Sequence, residues 1–416
     1  MKVRIKRNDY IPMWLSILTI FFAFRETMFY TIPSLVSTYP YTVTYYNKKD
    51  LCIFTVIAFI AILIKSGNLQ VRKKGFSTVA LFHILIVTLT FLVCMLVYPA
   101  ENFFTLYNKY YFYSAILLFY VLEYLYKRYP GYYEFFLNTI VIIGVGYAIF
   151  MIYSKLVYIS TGKYVFDTTV QFIQKRSGEL RLARPADFIS FATILSFSCA
   201  TKSHSEKKRK CYFLFTAVMF FAIVYVTQTR IYELAILVSC VFGYLWNENN
   251  RSKKLWIFAV IVCSGVAMIP TILSFFGSFT RAEDAAGTLL RFSGYGYYLK
   301  RMFNNGVIGL GFTSLPIYSN VLSGPYLMYN LSDTGYVGFI GVFGLLGIIF
   351  LALLIYKLYI NWMNVDCKRY PENKILTIFV MITSISVIFN DPQRAFMLPI
   401  YLAIFEYTYM TSCNRV

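Results

Sequence analysis

The sequence predicts an all-α fold, a polytopic membrane protein of about 12 transmembrane helices with a large external loop containing an amphipathic helix. Three observations lead there. Of the 416 residues, 58% are hydrophobic and only 14% charged, whereas a soluble domain keeps roughly a quarter of its residues charged. The mean hydropathy is +0.60. Apolar stretches also recur from end to end, most of them long enough to cross a hydrocarbon core about 30 Å thick as a helix. A soluble enzyme, a secreted disulfide scaffold and a disordered chain are excluded, and residues 1–416 read as one integral membrane domain.

In chain order the expected crossings are 10–30, 51–64, 76–98, 110–126, 134–153, 186–200, 211–228, 231–246, 255–275, 335–356, 375–390 and 394–411. The first is too long for a signal-peptide core, carries Arg25 and Glu26, and has no small-x-small cleavage site behind it, so it reads as a retained helix. An even number of crossings places both termini on one side. Of the eight cysteines, Cys94, Cys240 and Cys263 fall inside crossings and none shows CxxC spacing, so neither a structural disulfide nor a metal cluster is indicated.

Charge tests this layout. The chain carries 39 Lys and Arg against 19 Asp and Glu, a formal charge of +20. With the amino terminus inside, 23 of the basic residues fall on the inner side, in short loops, as the positive-inside rule requires. The runs Arg72-Lys73-Lys74 and Lys207-Lys208-Arg209-Lys210 therefore read as topology determinants, and no nucleic-acid partner is expected. The outer loops together hold 15, and two of those loops are long, 154–185 and 276–334. That pair contains Lys155, Lys163, Lys175, Arg176, Arg181, Arg184, Arg281, Arg291, Lys300 and Arg301 against Asp167, Glu179, Glu283, Asp284 and Asp333. Topology does not need such an outer excess, and an anionic substrate at the outer leaflet would account for it.

Four polar breaks mark the predicted outer surface. Arg25-Glu26, late in the first crossing, either snorkels to the interface or faces a site. Thr227-Gln228-Thr229-Arg230 joins two crossings with almost no loop, which forces Arg230 to a helix mouth, with Glu233 three residues on along the same face. A cation there opposes the helix dipole, a cost that an anion would relieve. The long loop reads Arg291-Phe292-Ser293-Gly294-Tyr295-Gly296-Tyr297-Tyr298-Leu299-Lys300-Arg301, an amphipathic run with Arg291, Tyr295 and Tyr298 spaced to share a face, followed by NNGVIGLGF. No strand–turn–helix unit surrounds those glycines, so they are not a dinucleotide fingerprint. The loop ends at Asp333, either an N-cap or a carboxylate facing a reaction centre. Asn390-Asp391-Pro392-Gln393-Arg394 is a polar hairpin whose Arg394 either anchors the turn or meets substrate.

The TQTR junction, the long outer loop with Arg291 and GVIGLGF, and SDTGYVGFIGVFGLLGI entering the next crossing together resemble the O-antigen polymerase and ligase superfamily, over about residues 211–350. The resemblance implies a multi-pass glycosyltransferase of the bacterial cytoplasmic (inner) membrane, both termini cytoplasmic. It would join polyprenyl-diphosphate-linked glycan donor and acceptor at the outer face, for O-antigen, capsule or another polysaccharide. Membrane lipids, a flippase and a chain-length regulator are the implied partners, with no cofactor. Arg230 matches the family's arginine at the helix junction and Arg291 that of its large periplasmic loop. The ligase histidine before the following helix has no equivalent: the nearest polar position is Asp333, and the chain's histidines are His83 and His204. That departure favours a repeat-unit polymerase over a ligase.

Arg230 and Arg291 are thus expected to stabilise the departing diphosphate and Asp333 to accept the acceptor hydroxyl's proton, all without a metal. Arg25, Glu233, Tyr297, Tyr298 and Arg394 are expected to line the substrate, the tyrosines by stacking on sugar rings. A transporter or flippase of a lipid-linked sugar or other anion is the principal alternative, although no internal repeat is evident. A scaffold for other envelope enzymes explains the helices but not Arg230.

Overall fold

A computed structural model describes residues 49–66, 75–129, 131–163, 173–176, 179–182, 186–247, 282–386 and 392–413. These are mostly helical. The helices are α1 (Lys49–Ser66), α2 (Ser77–Val97), α3 (Phe103–Tyr110), α4 (Leu118–Arg128), α5 (Tyr132–Thr161), α6 (Ala186–Lys202), α7 (Glu206–Ala222), α8 (Arg230–Asn247), α9 (Ala282–Lys300), α10 (Gly335–Asn364), α11 (Pro371–Thr383) and α12 (Pro392–Cys413). A tight helical run, Tyr111–Leu117, links α3 to α4. Strands β1 (Ile173–Arg176) and β2 (Glu179–Leu182) form an antiparallel hairpin in which Gln174 pairs with Arg181.

Four of these helical segments are long and apolar enough to cross a membrane: Ser77–Val97, Tyr132–Thr161, Glu206–Thr227 and Gly335–Asn364. Their exposure fits that role. The apolar side chains of α1, α2 and α5 that face outward, such as Ile57, Leu92 and Ile142, would be a liability in water and suit lipid. By contrast α6 and α12 are buried on nearly every face and form the centre of the bundle. The expected crossings 10–30 and 255–275 lie outside the described residues.

The elements depart from the sequence layout where apolar content and helical length diverge. Helix α5 continues to Thr161, so the connection expected from residue 154 starts one helix turn or more later and contains an unforeseen hairpin. Helix α10 likewise runs on to Asn364. At 30 residues it is about 45 Å long, more than a hydrocarbon core needs.

Helix α10 is also interrupted. Gly344 has φ 60° and ψ −135°, which only glycine adopts without strain. The backbone groups freed by the break are taken up by the glycine-rich segment after α9. Leu310 N–H donates to Gly341 O (2.8 Å), Gly311 N–H to Val342 O (3.0 Å), and Leu345 N–H to Val307 O (3.0 Å). Residues 308–313 are buried, so non-helical backbone sits inside protein, away from lipid, where it is tolerated among membrane helices. A Cβ at Gly309 would lie 2.1 Å from Gly341 O, so the close approach requires glycine.

Side chains hold this strap from the other side. Tyr98 hydroxyl donates to Leu310 O (2.8 Å), Tyr110 hydroxyl and Lys109 Nζ donate to Thr313 O (2.8 and 3.0 Å), and Phe312 N–H donates to Cys94 Sγ. Buried Glu101 accepts from the amides of Ser314 and Leu315 and from the hydroxyls of Ser314 and Thr105. Burial alone would raise that carboxyl, but these donors hold it below the usual carboxylate range. At the opposite end of α2, Glu406 from α12 accepts the Phe76 N–H, capping a helix start from across the bundle.

Candidate functional site

The site is built where α7 turns into α8. Helix α7 ends in a wider turn over Ile223–Thr227, where the Gln228 N–H donates to Ile223 O (2.8 Å), a five-residue step. Gln228 has φ 47°, in the left-handed region, which reverses the chain within two residues. The Thr229 carbonyl then accepts the first bonds of α8, from the amides of Tyr232 (2.9 Å) and Glu233 (3.2 Å). Arg230 is consequently the first residue of α8 and half-buried, with Glu233 half-buried in the same first turn.

Two cations from elsewhere serve the carbonyls that this ending exposes. Lys155 of α5, buried, donates to Tyr225 O and lies 4.0 Å over the Tyr225 ring. Arg181 of β2 donates through Nε to Thr227 O (2.7 Å) and through Nη2 to Thr229 Oγ1 (3.2 Å). Two cations of the long loop 154–185 are therefore engaged with helix-end carbonyls, where cations are favourable.

Arg394, in the first turn of α12, is fully buried. Its Nη2 lies 3.3 Å from Asp187 Oδ1, with side-chain exposures of 0% and 2% for the pair. A single 3.3 Å contact rather than a two-pronged fit joins the pair, and Tyr232 stands within reach of the same guanidinium. Aromatic rings surround it: the guanidinium carbon is 5.7 Å from the Phe379 centroid and 5.6 Å from that of Tyr401. Tyr232, two residues beyond Arg230, stacks on Phe379 at 6.0 Å. Arg230 and Arg394 thus lie at the same end of the bundle, Tyr232 being the residue of α8 that faces the Arg394 surroundings.

The start of α10 closes on the same end. Gly335, φ 51°, approaches so tightly that a Cβ would lie 2.0 Å from Ile385 O. Tyr336 stands beside Ser384 and within electrostatic reach of Arg394. Asp333, half-buried, closes a short turn over Leu331–Asp333 and accepts from Asn330 Nδ2 (3.2 Å). The N-cap of α10 is Thr334, not Asp333, and Thr334 caps it without a side-chain bond.

Several expected site residues are placed differently from their sequence reading. Tyr298 is fully buried, its hydroxyl donating to Leu322 O (2.7 Å), so its ring has no free face for a sugar. Tyr297 hydroxyl donates to Val321 O (2.7 Å) while Arg301 lies 4.8 Å over its ring. Both tyrosines clamp the turn Ser319–Ser323 onto α9. Arg291, Tyr295 and Tyr298 do share one helical face, but exposure falls along it from the exposed arginine to the buried tyrosine as α9 enters the bundle. Arg291 therefore stands exposed on α9 instead of packing with Arg230 and Arg394. Arg25 lies outside the described residues.

Sequence reasoning missed Asp187 and Tyr232 as members of this site and named Lys155 and Arg181 only among the basic residues of the long loop 154–185. Asp187 had a readable signal, a lone carboxylate opening an apolar run. Tyr232 carried none, and for Lys155 and Arg181 the charge was legible but not the partners, which are backbone carbonyls distant in sequence. No group of three or more His, Cys, Asp or Glu side chains placed to hold a metal ion occurs among the described residues. Compared with protein-family models and with curated proteins, the chain finds no match in either.

Proposed function

We propose that this chain is a membrane glycosyltransferase that polymerises polyprenyl-diphosphate-linked oligosaccharide repeat units at the outer face of the bacterial cytoplasmic membrane. The observation that carries the reading is the gathering of Arg230, Arg394, Arg181 and Lys155 where α6, α8 and α12 begin and α7 ends, with the start of α10 beside them. Among the described residues these four cations outnumber the carboxylates Asp187, Glu233 and Asp333 at that end, which suits a lipid-borne anion. The opposite end carries Lys127, Arg128, Lys202, Lys207, Lys208, Arg209 and Lys210, which favours that end as cytoplasmic.

As the anomeric carbon–oxygen bond breaks, charge develops on the departing diphosphate, and half-buried Arg230 at a helix start is suited to meet it with a planar fork of donors. Arg394, fully buried beside Asp187, adds positive potential behind the site and does not reach the donor, contrary to its sequence reading as a substrate contact. Asp333 remains the carboxylate assigned to the acceptor hydroxyl, and Arg291 the exposed cation that first attracts the diphosphate. A contact to a charged group is worth about 1.5–3 kcal/mol, so Arg230→Ala should lower turnover by roughly 10- to 150-fold. Cells lacking their own polymerase and expressing Arg230→Ala at normal level should show short or absent polymer ladders. Normal ladders would dismiss the assigned role.

One observation favours a second reading, transport of a lipid-linked sugar. Helix α10 is broken at Gly344 and paired with a non-helical strap, a feature of transporters whose broken helices bind substrate within the membrane.

A further inference from the structure

The last carbonyls of any helix lack intrahelical partners, and at the end of α7 the shortage is acute because the turn widens and then reverses at a residue that is not glycine. Gln228, at φ 47°, holds a conformation that disfavours a side chain, so something must keep it there. One guanidinium spans the residues on either side. Arg181 Nε donates to Thr227 O at 2.7 Å and Nη2 donates to Thr229 Oγ1 at 3.2 Å. The Thr229 hydroxyl itself donates to Thr227 O at 3.1 Å, and the Thr229 carbonyl accepts the first two bonds of α8. Arg181 is fixed in its turn by the register of the hairpin, opposite Gln174.

We infer that Arg181 is a positioning residue for Arg230, acting through Thr227 and Thr229 to set the reversal from which the first turn of α8 emerges. Its planar, two-pronged donor geometry is needed because the two acceptors flank one residue. A lysine reaches one of them at a time. The hairpin thereby acts on Arg230 through the backbone and hydroxyl groups of the junction.

The kinetic arm of the test rests on the transferase reading, and a second arm does not. With lipid-linked repeat units in proteoliposomes, Arg181→Ala should lower kcat about tenfold or more while KM stays within about twofold, because the lost interaction matters in the transition state. Arg181→Lys should recover only part. In an Arg230→Ala background, Arg181→Ala should add less than about a further twofold, since the two act as a unit. A raised KM at unchanged kcat, or effects that multiply in the double variant, would overturn the inference. Independently of activity, amide hydrogen exchange at Tyr232 and Glu233 should quicken about tenfold or more in Arg181→Ala, with α2 unchanged. Unaltered protection there overturns it as well. If the unsubstituted protein lengthens no glycan, the transferase reading fails by itself and the exchange measurement still decides the role of Arg181. Should Arg181→Ala not accumulate, Arg181→Lys carries the same comparison.

Discussion

Gly309→Ala puts a methyl group into the break of α10. The new carbon would lie 2.1 Å from Gly341 O, 2.9 Å from Gly341 C and 3.2 Å from Gly344 N. All three are backbone atoms, so no side chain can swing aside, and strap and helix must part by about 1 Å. Overpacking of this kind costs about 1–3 kcal/mol. The parting also weakens the bond from Leu310 N–H to Gly341 O, 2.8 Å long, worth about 0.5–1.5 kcal/mol net. The expected loss is therefore about 2–4 kcal/mol. Gly296→Ala is the matched control: it lies inside α9, nothing stands within 4 Å of its Cβ position, and the change should stabilise by about 0.5–1 kcal/mol through helix propensity. Thermal unfolding of the detergent-solubilised proteins, read by the same spectroscopic signal, compares the two. If Gly309→Ala melts at or above Gly296→Ala, the strap is not seated in the break as described.

The Asp187–Arg394 pair and Glu101 give two further tests. Asp187→Asn leaves a buried guanidinium without its counter-charge and should cost about 3–5 kcal/mol. The double change Asp187→Leu with Arg394→Met should recover most of that stability, and a double variant as unstable as Asp187→Asn would show that the ion pair is not what matters there. Because the folded state holds the Glu101 carboxyl below the usual range, its stabilisation is complete above the unfolded value near about 4.3 and is lost as pH falls through the folded value. Glu101→Gln should therefore be less stable at neutral pH and lose part of the acid-side decline. An unchanged acid limb in unfolding measurements would contradict the latch.

Much of the helical framework was legible because long apolar runs and charged ends mark helices almost without tertiary information. Ala186–Lys202 and Arg230–Asn247 each begin and end within two residues of the sequence expectation. The position of Arg230 was legible for the same reason, since a reversal as short as Gln228-Thr229 leaves it nowhere else to go. Tertiary pairing was not legible. Periodicity cannot say that Arg181 reaches a carbonyl 46 residues away, or that Glu101 binds a strap more than 210 residues on. Tyr298 illustrates the opposite error: an aromatic residue on an amphipathic segment suggests a sugar platform, yet the bundle buries it. Gly309 and Gly344 were visible as glycines, but their mutual contact needed the fold.

Cations at one end of the bundle are proposed to serve glycosyl transfer from a lipid diphosphate. Purified protein in liposomes, supplied with lipid-linked repeat units on the side where α7 meets α8, tests it most directly. Lipid-linked glycans should lengthen by whole repeats, with the lengthening lost in Arg230→Ala. Movement of the lipid-linked sugar across the bilayer with no new glycosidic bond would contradict it and favour transport.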